Sequence, residues 1–499
     1  MHFPRSSGVL LHPTSLPGPY GIGTLGTWAY RFVDFLADAG QKIWQVLPLG
    51  PTGYGDSPYQ SFSSHAGNIN LIDLDELIEM GLLEKAALEG APEFSPALVD
   101  YCAMHEWKRP LLYRVGEQFR QRAGQDALAA FERFCQEKAE WLDDYATFMA
   151  CKEAQGGKPW REWPKSLKRR SNKALATFQK KHEQAIEVHK VLQWLFFHQW
   201  SRVRAHAAGR DLRILGDLPI FVAMDSADAW VNPELFHFDK ELEPTVVAGV
   251  PPDYFSATGQ LWGNPLYRWD KHKKQGYEWW MKRLSSALGM FDFLRIDHFR
   301  GFAGYWQVPA GEETAVNGKW VKGPGSHFFK KVKKEFPDMP IVAEDLGDIT
   351  PDVHELRDEF GLPGMVVIQF AFGGGPDNKF LPHHHQVNSV VYTGTHDNDT
   401  SLGWYKHSST EAERQFFHLY TGVEPAQAGP TLVRMALNSV AHTAIVPFQD
   451  ILGMGSECRM NTPSQASGNW QWRFLSKMFT RELMQGLRGR TYAAGRLSH

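Results

Sequence analysis

Eight short apolar runs constrain the fold of this chain most strongly. Near-continuous apolar runs of this length are typical of strands that are buried on both faces. Helical periodicity lies between many of them, for example over residues 27–39 and 277–288. The runs occupy residues 9–12, 43–48, 212–219, 293–298, 340–346, 365–370, 389–397 and 443–450. Eight buried strands alternating with helices predict an α/β fold of the (β/α)8, or TIM barrel, type.

Two insertions are expected on this barrel. The second and third runs are much further apart than one crossover needs, and the intervening sequence has mostly helical periodicity after residue 71. We therefore predict a largely helical insertion over 71–200, with a break at 156–159. Residues 236–270 have few helical signals and many aromatic, Gly and Pro residues, which predicts a long active-site loop. The whole of 1–499 is interpreted as one catalytic barrel domain.

The last part of the chain does not resemble an all-β module. Residues 476–488 have a helical pattern, and little sequence follows them. We therefore expect a barrel with no C-terminal β-domain.

Composition excludes several classes of partner. A formal charge of -3 with 22% charged residues argues against a nucleic-acid partner. No run approaches the ~20 apolar residues of a membrane span, and the first residues lack the pattern of a secretory signal. The four cysteines have no zinc-type spacing and suit a reducing compartment, so a cytoplasmic location is expected.

The three consecutive histidines at 383–385 cannot all direct their side chains at one metal ion from a regular element, and we expect a surface loop there.

The stretch from Phe291 to His298 combines a buried strand with charge. Arg295 and Asp297 lie two residues apart and so share one face of the strand. A guanidinium on the same face favours the ionised form of the carboxyl group. Taken alone, this pair is as compatible with a structural ion pair as with a catalytic carboxylate.

Four acidic residues end apolar runs. Asp217 ends the third run, Asp297 the fourth, Glu344 the fifth and Asp397 the seventh. The carboxyl ends of barrel strands converge on one face, where such enzymes build their active sites. Carboxylates that meet there either bind a metal or carry out acid, base and nucleophilic chemistry.

Cationic neighbours favour the second alternative. Arg295, His298 and His396 flank the acids, whereas a metal site would normally lack them. A glycosidic bond is cleaved by one ionised and one protonated carboxyl group. Asp297, beside Arg295, suits the ionised role, and the apolar approach to Glu344 would raise its pKa and suit a proton donor.

Aromatic residues in polar loops add a weaker indication. Tyr54 and Tyr59 follow the second run, and Tyr254, Phe255 and Trp262 lie within 236–270. Flat rings stack on the apolar faces of sugars, although core packing is the commoner role of any single ring. The Tyr254–Phe255 pair lies far from any predicted strand, which favours the binding role.

The chain resembles the 4-α-glucanotransferases of glycoside hydrolase family 77, the amylomaltases or disproportionating enzymes. Three segments carry the resemblance to the catalytic sequences of that family, and further blocks extend it over nearly the whole chain. The catalytic segments are RIDH at 295–298, AEDLG at 343–347 and GTHDN at 394–398; the further blocks are 17–23, 58–61, 160–164, 216–220, 249–265 and 468–473.

The resemblance implies a barrel related to the α-amylases but without their C-terminal β-domain. It also implies roles for three residues. Asp297 matches the nucleophile, Glu344 the acid/base and Asp397 the transition-state stabiliser.

The resemblance further implies a set of substrate-binding residues. Arg295, His298 and His396 match residues that support the donor site, and the Tyr254–Phe255 pair matches a loop that covers the acceptor groove. Together with loop and strand-end residues, the full predicted set is Tyr59, Asp217, Tyr254, Phe255, Trp262, Asn264, Arg295, His298 and His396.

The expected reaction is a retaining double displacement on α-1,4-glucans, with maltooligosaccharides and glucose as further substrates, in maltooligosaccharide, starch or glycogen metabolism. No metal or other cofactor is expected. A retaining mechanism predicts about 5 to 5.5 Å between the carboxyl groups of Asp297 and Glu344. Two other functions stay open at this point, namely an α-amylase-type hydrolase and a non-catalytic glucan-binding protein. The sequence does not indicate an oligomeric state.

Overall fold

The computed structural model describes residues 5–252, 256–347, 349–465 and 467–497. Its strands, in chain order, are β1 (Ser6–Leu10), β2 (Ile43–Gln45), β3 (Arg213–Pro219), β4 (Val246–Val250), β5 (Gln260–Pro265), β6 (Phe293–Asp297), β7 (Gly304–Pro309), β8 (Lys319–Lys322), β9 (Ile341–Ala343), β10 (Gly364–Val367), β11 (Ser389–Tyr392) and β12 (Thr443–Pro447).

The α-helices, in chain order, are α1 (Thr27–Asp38), α2 (Leu74–Glu79), α3 (Tyr101–Arg122), α4 (Gln125–Ala154), α5 (Lys165–Lys168), α6 (Asn172–Lys181), α7 (Glu183–Gly209), α8 (Ala227–Val231), α9 (Trp269–Lys274), α10 (Glu278–Met290), α11 (Gly325–Glu335), α12 (Pro351–Glu359), α13 (Ser401–Gly403), α14 (Glu411–Thr421), α15 (Ala428–Asn438), α16 (Phe448–Ile451) and α17 (Arg481–Ala493).

Eight parallel strands form the barrel. Their order in the sheet is β10-β11-β12-β1-β2-β3-β6-β9, so that β1 pairs with β12 as well as with β2. The Ala343 N–H at the end of β9 donates to the Pro363 carbonyl just before β10, at 2.9 Å, and links the two ends of the sheet. The predicted (β/α)8 barrel is therefore confirmed, and each of the eight apolar runs supplies one strand.

The barrel wall is buried on both sides, which explains the unbroken apolar runs. Every residue of β1, β2, β11 and β12 is buried. Gly216 in β3 allows a close approach of the Phe291 ring, since a Cβ atom at this position would lie 2.2 Å from it. This contact seats β3 beside the segment that leads into β6, and these two strands carry Asp217 and Asp297.

Several predicted strands end earlier in the structure. The fifth apolar run was expected to continue to residue 346, but β9 ends at Ala343 and Glu344 follows it directly. The seventh was expected to end at Asp397, but β11 ends at Tyr392. Asp397 instead lies in a turn, in which Asn398 Oδ1 accepts from the Thr395 N–H at 2.9 Å. Side-chain bonds of this kind compete with the strand ladder.

The bottom of the barrel, at the amino ends of its strands, is closed by one buried guanidinium. Arg496 is 1% exposed and donates to carbonyl oxygens of chain segments that lead into and out of the barrel. Its acceptors are the carbonyls of Ser6, Leu437, Ser439, Ala441 and His442, at 2.6 to 2.9 Å. A single side chain thus links five backbone carbonyls, two of which, those of Ser439 and Ala441, also accept from Arg5.

Helices α2 to α7 lie between β2 and β3. Residues 172–209 form two helices, because the chain leaves helical geometry at His182, between α6 and α7. Gln193 and Gln199 of α7 each bond both backbone groups of one loop residue, Gly67 and Asp73 respectively. These contacts attach the helical segment to the loop that follows β2.

A second sheet was missed by the sequence analysis. Residues 236–270, expected as a loop, contain β4 and β5, which join β7 and β8 in an antiparallel sheet of order β5-β4-β7-β8. The partner strands come from a separate segment after β6, and residues such as Gly249 and Pro265 hide the alternation that marks a strand.

The chain after β12 is helical or irregular. The expected helix over 476–488 begins later, at Arg481, where the Thr480 side chain accepts from the Leu483 N–H and caps α17. Within the described ranges no strand follows Pro447. No helix of the described chain is long and apolar enough to cross a membrane.

Candidate active site

Two carboxyl groups face each other where β6 and β9 end. The parallel register pairs Leu294 with Ile341 and continues to Ile296 with Ala343. The Glu344 N–H then donates to the Ile296 carbonyl at 3.1 Å, so the register extends and places Asp297 opposite Glu344. Neighbouring strands lie about 4.8 Å apart, which brings the two side chains together from adjacent positions.

The Glu344 carboxylate is held by backbone amides. The His298 N–H donates to Oε2 at 2.7 Å and the Leu346 N–H to Oε1 at 2.9 Å. His298 can direct its N–H this way because its φ of 55° starts a tight turn. Burial nevertheless raises the pKa of Glu344 to about 7, with the charge of Asp297 adding to the effect and Arg295 and the two amides opposing it. A carboxyl group with this pKa can both donate and accept a proton near neutrality.

Arg295 bonds to two carboxylates. Its Nη1 lies 2.5 Å from Asp217 Oδ2, and its Nη2 lies 2.8 Å from Asp297 Oδ1. Burial lowers the pKa of Arg295 because it disfavours the charged guanidinium. The carboxylates of Asp217 and Asp297 outweigh this effect and raise the pKa of Arg295 well above its usual range. Asp217 is fully enclosed, whereas the Asp297 side chain is 29% exposed. Asp297 is therefore the carboxylate of this group that remains open to a substrate.

A second group is built around His396 and Asp397. His396 Nε2 lies 3.4 Å from Asp397 Oδ1, and the Tyr59 ring stacks on the His396 ring with centroids 5.0 Å apart. The Tyr59 hydroxyl donates to Asp217 Oδ2 at 2.8 Å. Tyr59 and His396 thus connect the carboxylate beside Arg295 with the carboxylate after β11.

The segments 459–465 and 467–470, after β12, complete this group, although the sequence analysis assigned no site residue to either of them. The Asn461 Nδ2 donates to Asp397 Oδ1 at 2.6 Å, and its backbone N–H donates to the His396 carbonyl. Arg459 Nη2 donates to the Asp397 carbonyl at 2.5 Å. Trp470 packs against His396. The block 468–473 was recognised only as part of a resemblance, and no sequence signal marked Asn461.

The structure describes Trp262, His298 and Asn264 among the other predicted binding residues, and each has a different kind of contact. Trp262 packs edge-on against His298 with ring centroids 4.8 Å apart, and burial lowers the pKa of His298 to about 4, so that this imidazole is neutral. The Asn264 side-chain amide donates to the Val222 carbonyl at 2.8 Å and is buried. Tyr254 and Phe255 lie outside the described residues.

The described residues contain no group of three or more His, Cys, Asp or Glu side chains that could hold a metal ion. His383 and His384 are exposed, whereas His385 is buried and bonded to Ser439 Oγ. The carboxyl groups at the barrel rim accept hydrogen bonds from arginine, amide and hydroxyl groups. Such partners suit acid, base and nucleophilic chemistry.

A family profile matches most of the chain. The profile of glycoside hydrolase family 77, described as 4-alpha-glucanotransferase, covers residues 11–478. The chain belongs to this family. As a member of glycoside hydrolase family 77 it is a 4-α-glucanotransferase, a hexosyltransferase that acts on α-glucans.

Relatives of the family 77 chain match over 94% or more of its length. It is 51% identical over 505 residues to the 4-alpha-glucanotransferase of Thermus thermophilus, covering 100% of both chains. It is 50% identical over 473 residues to the enzyme of the same description from Synechocystis, covering 94% of each. The structure of the amylomaltase from Streptococcus agalactiae in complex with acarbose has a TM-score of 0.95 and 40% identity, covering 99% of this chain and 100% of that one.

Proposed function

We propose that this 4-α-glucanotransferase works by a retaining double displacement in which Asp297 is the nucleophile, Glu344 the acid/base and Asp397 the transition-state stabiliser. The observation that carries the proposal is the register that sets Asp297 opposite Glu344 on adjacent strands. Retaining enzymes separate their carboxyl groups by about 5 to 5.5 Å, close to one strand spacing, whereas inverting enzymes separate them by about 6.5 to 9.5 Å.

In the first step, the Asp297 carboxylate attacks the anomeric carbon of an α-1,4-glucan. Protonated Glu344 gives its proton to the departing 4-oxygen, and the fragment that carries the reducing end leaves. The product is a β-glucosyl ester on Asp297. Arg295 supports this step because its hydrogen bond to Asp297 Oδ1 holds the attacking carboxylate in position.

In the second step, the 4-hydroxyl of another glucan, of a maltooligosaccharide or of glucose enters the acceptor site. Glu344, now ionised, removes the proton from this hydroxyl, and the oxygen attacks the ester at the anomeric carbon. The bond to Asp297 breaks and an α-1,4 bond forms. A pKa near 7 lets one carboxyl group serve both steps, as acid in the first and base in the second.

We assign Asp397 and His396 to the donor sugar. Asn461 and His396 both approach Asp397 Oδ1, which leaves the other oxygen for substrate hydroxyl groups. Hydrogen bonds of this type strengthen as positive charge develops at the anomeric centre. The role of Tyr254 and Phe255 as a cover for the acceptor groove stays part of the proposal, as does a cytoplasmic location, which is supported by four cysteines without disulfide partners.

Incubation with maltotriose tests transfer against hydrolysis. Transfer yields glucose together with maltooligosaccharides longer than the substrate, whereas an α-amylase-type hydrolase would only shorten it. Radiolabelled glucose added to the mixture should enter the longer products. Products no longer than maltotriose, with new reducing ends appearing in proportion to substrate consumed, would refute transfer.

Trapping the covalent intermediate tests the residue roles. The Glu344→Gln variant should react with α-maltosyl fluoride, whose leaving group needs no proton, and then stall because no base activates the acceptor. Peptide mass spectrometry should find a glycosyl unit on the peptide that contains Asp297. The matched control is Glu411→Gln, which alters an exposed carboxylate on α14 and should turn over normally. A glycosyl unit on another carboxylate would overturn the assignment.

A further inference from the structure

Trp470 has an unusual backbone for a large aromatic residue. Its φ is 65°, in the left-handed region that favours glycine, although the side chain is 5% exposed and packed. A bulky residue rarely adopts this conformation, and it persists only where the surroundings impose it. Packing in a core would not by itself require such a backbone.

Two hydrogen bonds hold this backbone. The Trp470 N–H donates to the Met460 carbonyl at 2.7 Å, which closes the segment after β12 on itself. The hydroxyl of Tyr101 donates to the Trp470 carbonyl at 2.9 Å. Tyr101 is buried and is the first residue of α3, so the helical segment between β2 and β3 supports the conformation from outside the barrel.

The conformation directs the indole to two rings of the candidate site. Trp470 lies 5.9 Å from the Tyr59 ring and 5.9 Å from the His396 ring, measured between centroids, while Tyr59 and His396 stack on each other. The three rings therefore touch pairwise. Tyr59 bonds to Asp217 and His396 approaches Asp397, so this one cluster sits between two carboxylates that come from β3 and from the turn after β11.

We propose that Trp470 is a positioning residue of the donor site: its strained backbone, supported by Tyr101, packs the indole against Tyr59 and His396 and so fixes Asp217 and Asp397 relative to each other. The inference rests on the proposed function in taking Asp397 as a donor-site residue. Trp470 acts on the site by packing its indole ring against Tyr59 and His396.

The proposal gives the helical segment between β2 and β3 a role in positioning the donor-site residues, through Tyr101 of α3. The Tyr101 hydroxyl bonds to the Trp470 carbonyl, and its removal takes away none of the three rings of the cluster. Loss of that single bond would free a backbone that is held in an unfavourable conformation, and a shift of about 1 Å at a reacting group lowers catalysis by about a hundredfold.

Four variants of the full chain test this inference. Trp470→Leu removes the ring, Trp470→Phe keeps an aromatic ring, and Tyr101→Phe removes only the hydroxyl. Trp472→Leu is the matched control, because Trp472 is two residues away and equally buried at 5% exposed. For each variant, kcat and KM for transfer from maltotriose and the melting temperature are measured together.

We expect Trp470→Leu to lower kcat/KM by about 30- to 100-fold, with Trp470→Phe recovering most of the loss and Tyr101→Phe lowering kcat/KM by about three- to tenfold. Trp472→Leu should reduce the melting temperature as much as Trp470→Leu does while changing kcat/KM less than threefold. Equal losses of kcat/KM in the two leucine variants would overturn the proposal in favour of general core packing.

A Trp470→Phe variant as impaired as Trp470→Leu would also overturn it, since ring packing is the claimed cause. So would an unchanged kcat/KM in Tyr101→Phe. These outcomes are separate from a failure of the proposed function, which would show in the trapping experiment on Glu344→Gln whatever the behaviour of Trp470.

Discussion

The raised pKa of Glu344 should be visible in the stability of the protein as well as in its activity. A carboxyl group whose pKa is higher in the folded than in the unfolded chain favours the folded state when it is protonated. Glu344 moves from an ordinary 4.5 to about 7 on folding. Its contribution is therefore fully present below pH 4.5 and is lost as the pH rises to about 7. The Glu344→Gln variant cannot ionise and should not show this loss.

The magnitude follows from the two pKa values. At 1.36 kcal/mol for each pH unit, the interval from 4.5 to about 7 corresponds to about 3 kcal/mol. The carboxyl group is not fully enclosed, so solvent screening brings the expected value to about 2 to 3 kcal/mol. With an unfolding entropy of about 1 kcal/mol/K for 499 residues, this amounts to about 2 to 3 °C in melting temperature.

The substitution also has a cost that does not depend on pH. Both Glu344 oxygens accept backbone N–H groups, and glutamine must turn an NH₂ group toward one of them. This costs about 1 to 3 kcal/mol at every pH. The test therefore uses the difference in free energy of unfolding between wild type and Glu344→Gln, followed as a function of pH. The value of this difference at a single pH includes the constant cost and does not decide the question.

Differential scanning calorimetry of wild type and Glu344→Gln from pH 4 to pH 8 measures this change. The melting temperature of the variant should rise relative to wild type by about 2 to 3 °C, with most of the rise between pH 4.5 and 7. Glu411→Gln should give a flat difference above about pH 5, because the hydrogen bond from Arg414 lowers the pKa of Glu411 and the contribution of this group to stability changes only as the pH falls below its ordinary 4.5. A flat difference for Glu344→Gln as well would refute the claim that burial raises this pKa, and with it the physical basis for the acid/base role.

Four further predictions follow from the same contacts. The kcat/KM for transfer should fall about tenfold for each pH unit above a midpoint near 7, the pKa of Glu344; a plateau extending to pH 9 in a pH–rate profile would contradict this. Arg295→Met leaves Asp217 buried without its cation, and we expect a loss of about 3 to 5 kcal/mol, seen as a melting temperature lower by about 3 to 5 °C. Asn461→Leu removes a hydrogen bond to the proposed stabilising carboxylate and should lower kcat/KM by about 10- to 100-fold while leaving the melting temperature within about 2 °C. Arg496→Met should lower the melting temperature by about 3 °C without changing kcat/KM, and a matching loss of activity would show that the barrel bottom influences the site.

The sequence predicted those features of the fold that depend on strand burial. Apolar runs are necessary wherever a strand has no exposed face, so the barrel strands left an unbroken signal. The antiparallel sheet left none, because β4 and β5 contain Gly and Pro and pair with strands from a distant segment. Pairing between distant segments is decided by tertiary packing, which a local pattern does not carry.

The residues of the candidate site also fall into those that the strand pattern predicts and those that only tertiary packing brings into the site. Asp297 and Glu344 lie at or directly after strand ends, where barrel topology alone predicts convergence. Asp397 was placed on the correct face but on the wrong local structure, since a turn carries it. Asn461 left no sequence signal and Trp470 was noted only within the block 468–473, because their contacts to the site arise where the chain after β12 folds back over that turn.

Arg496 also bears on the order in which the barrel can be assembled. Strand β1 is synthesised before β12, which it needs as a neighbour, and the Ser6 carbonyl accepts a hydrogen bond from a donor 490 positions further on. Contacts at such sequence separation form late, because the intervening chain must first be ordered. Strand β1 therefore stays without its full set of partners until both β12 and Arg496 have been synthesised, and during that time its unpaired edge is available to other chains. A slow late folding step and a need for protection of the growing chain are consequences of placing Arg496 490 positions after Ser6.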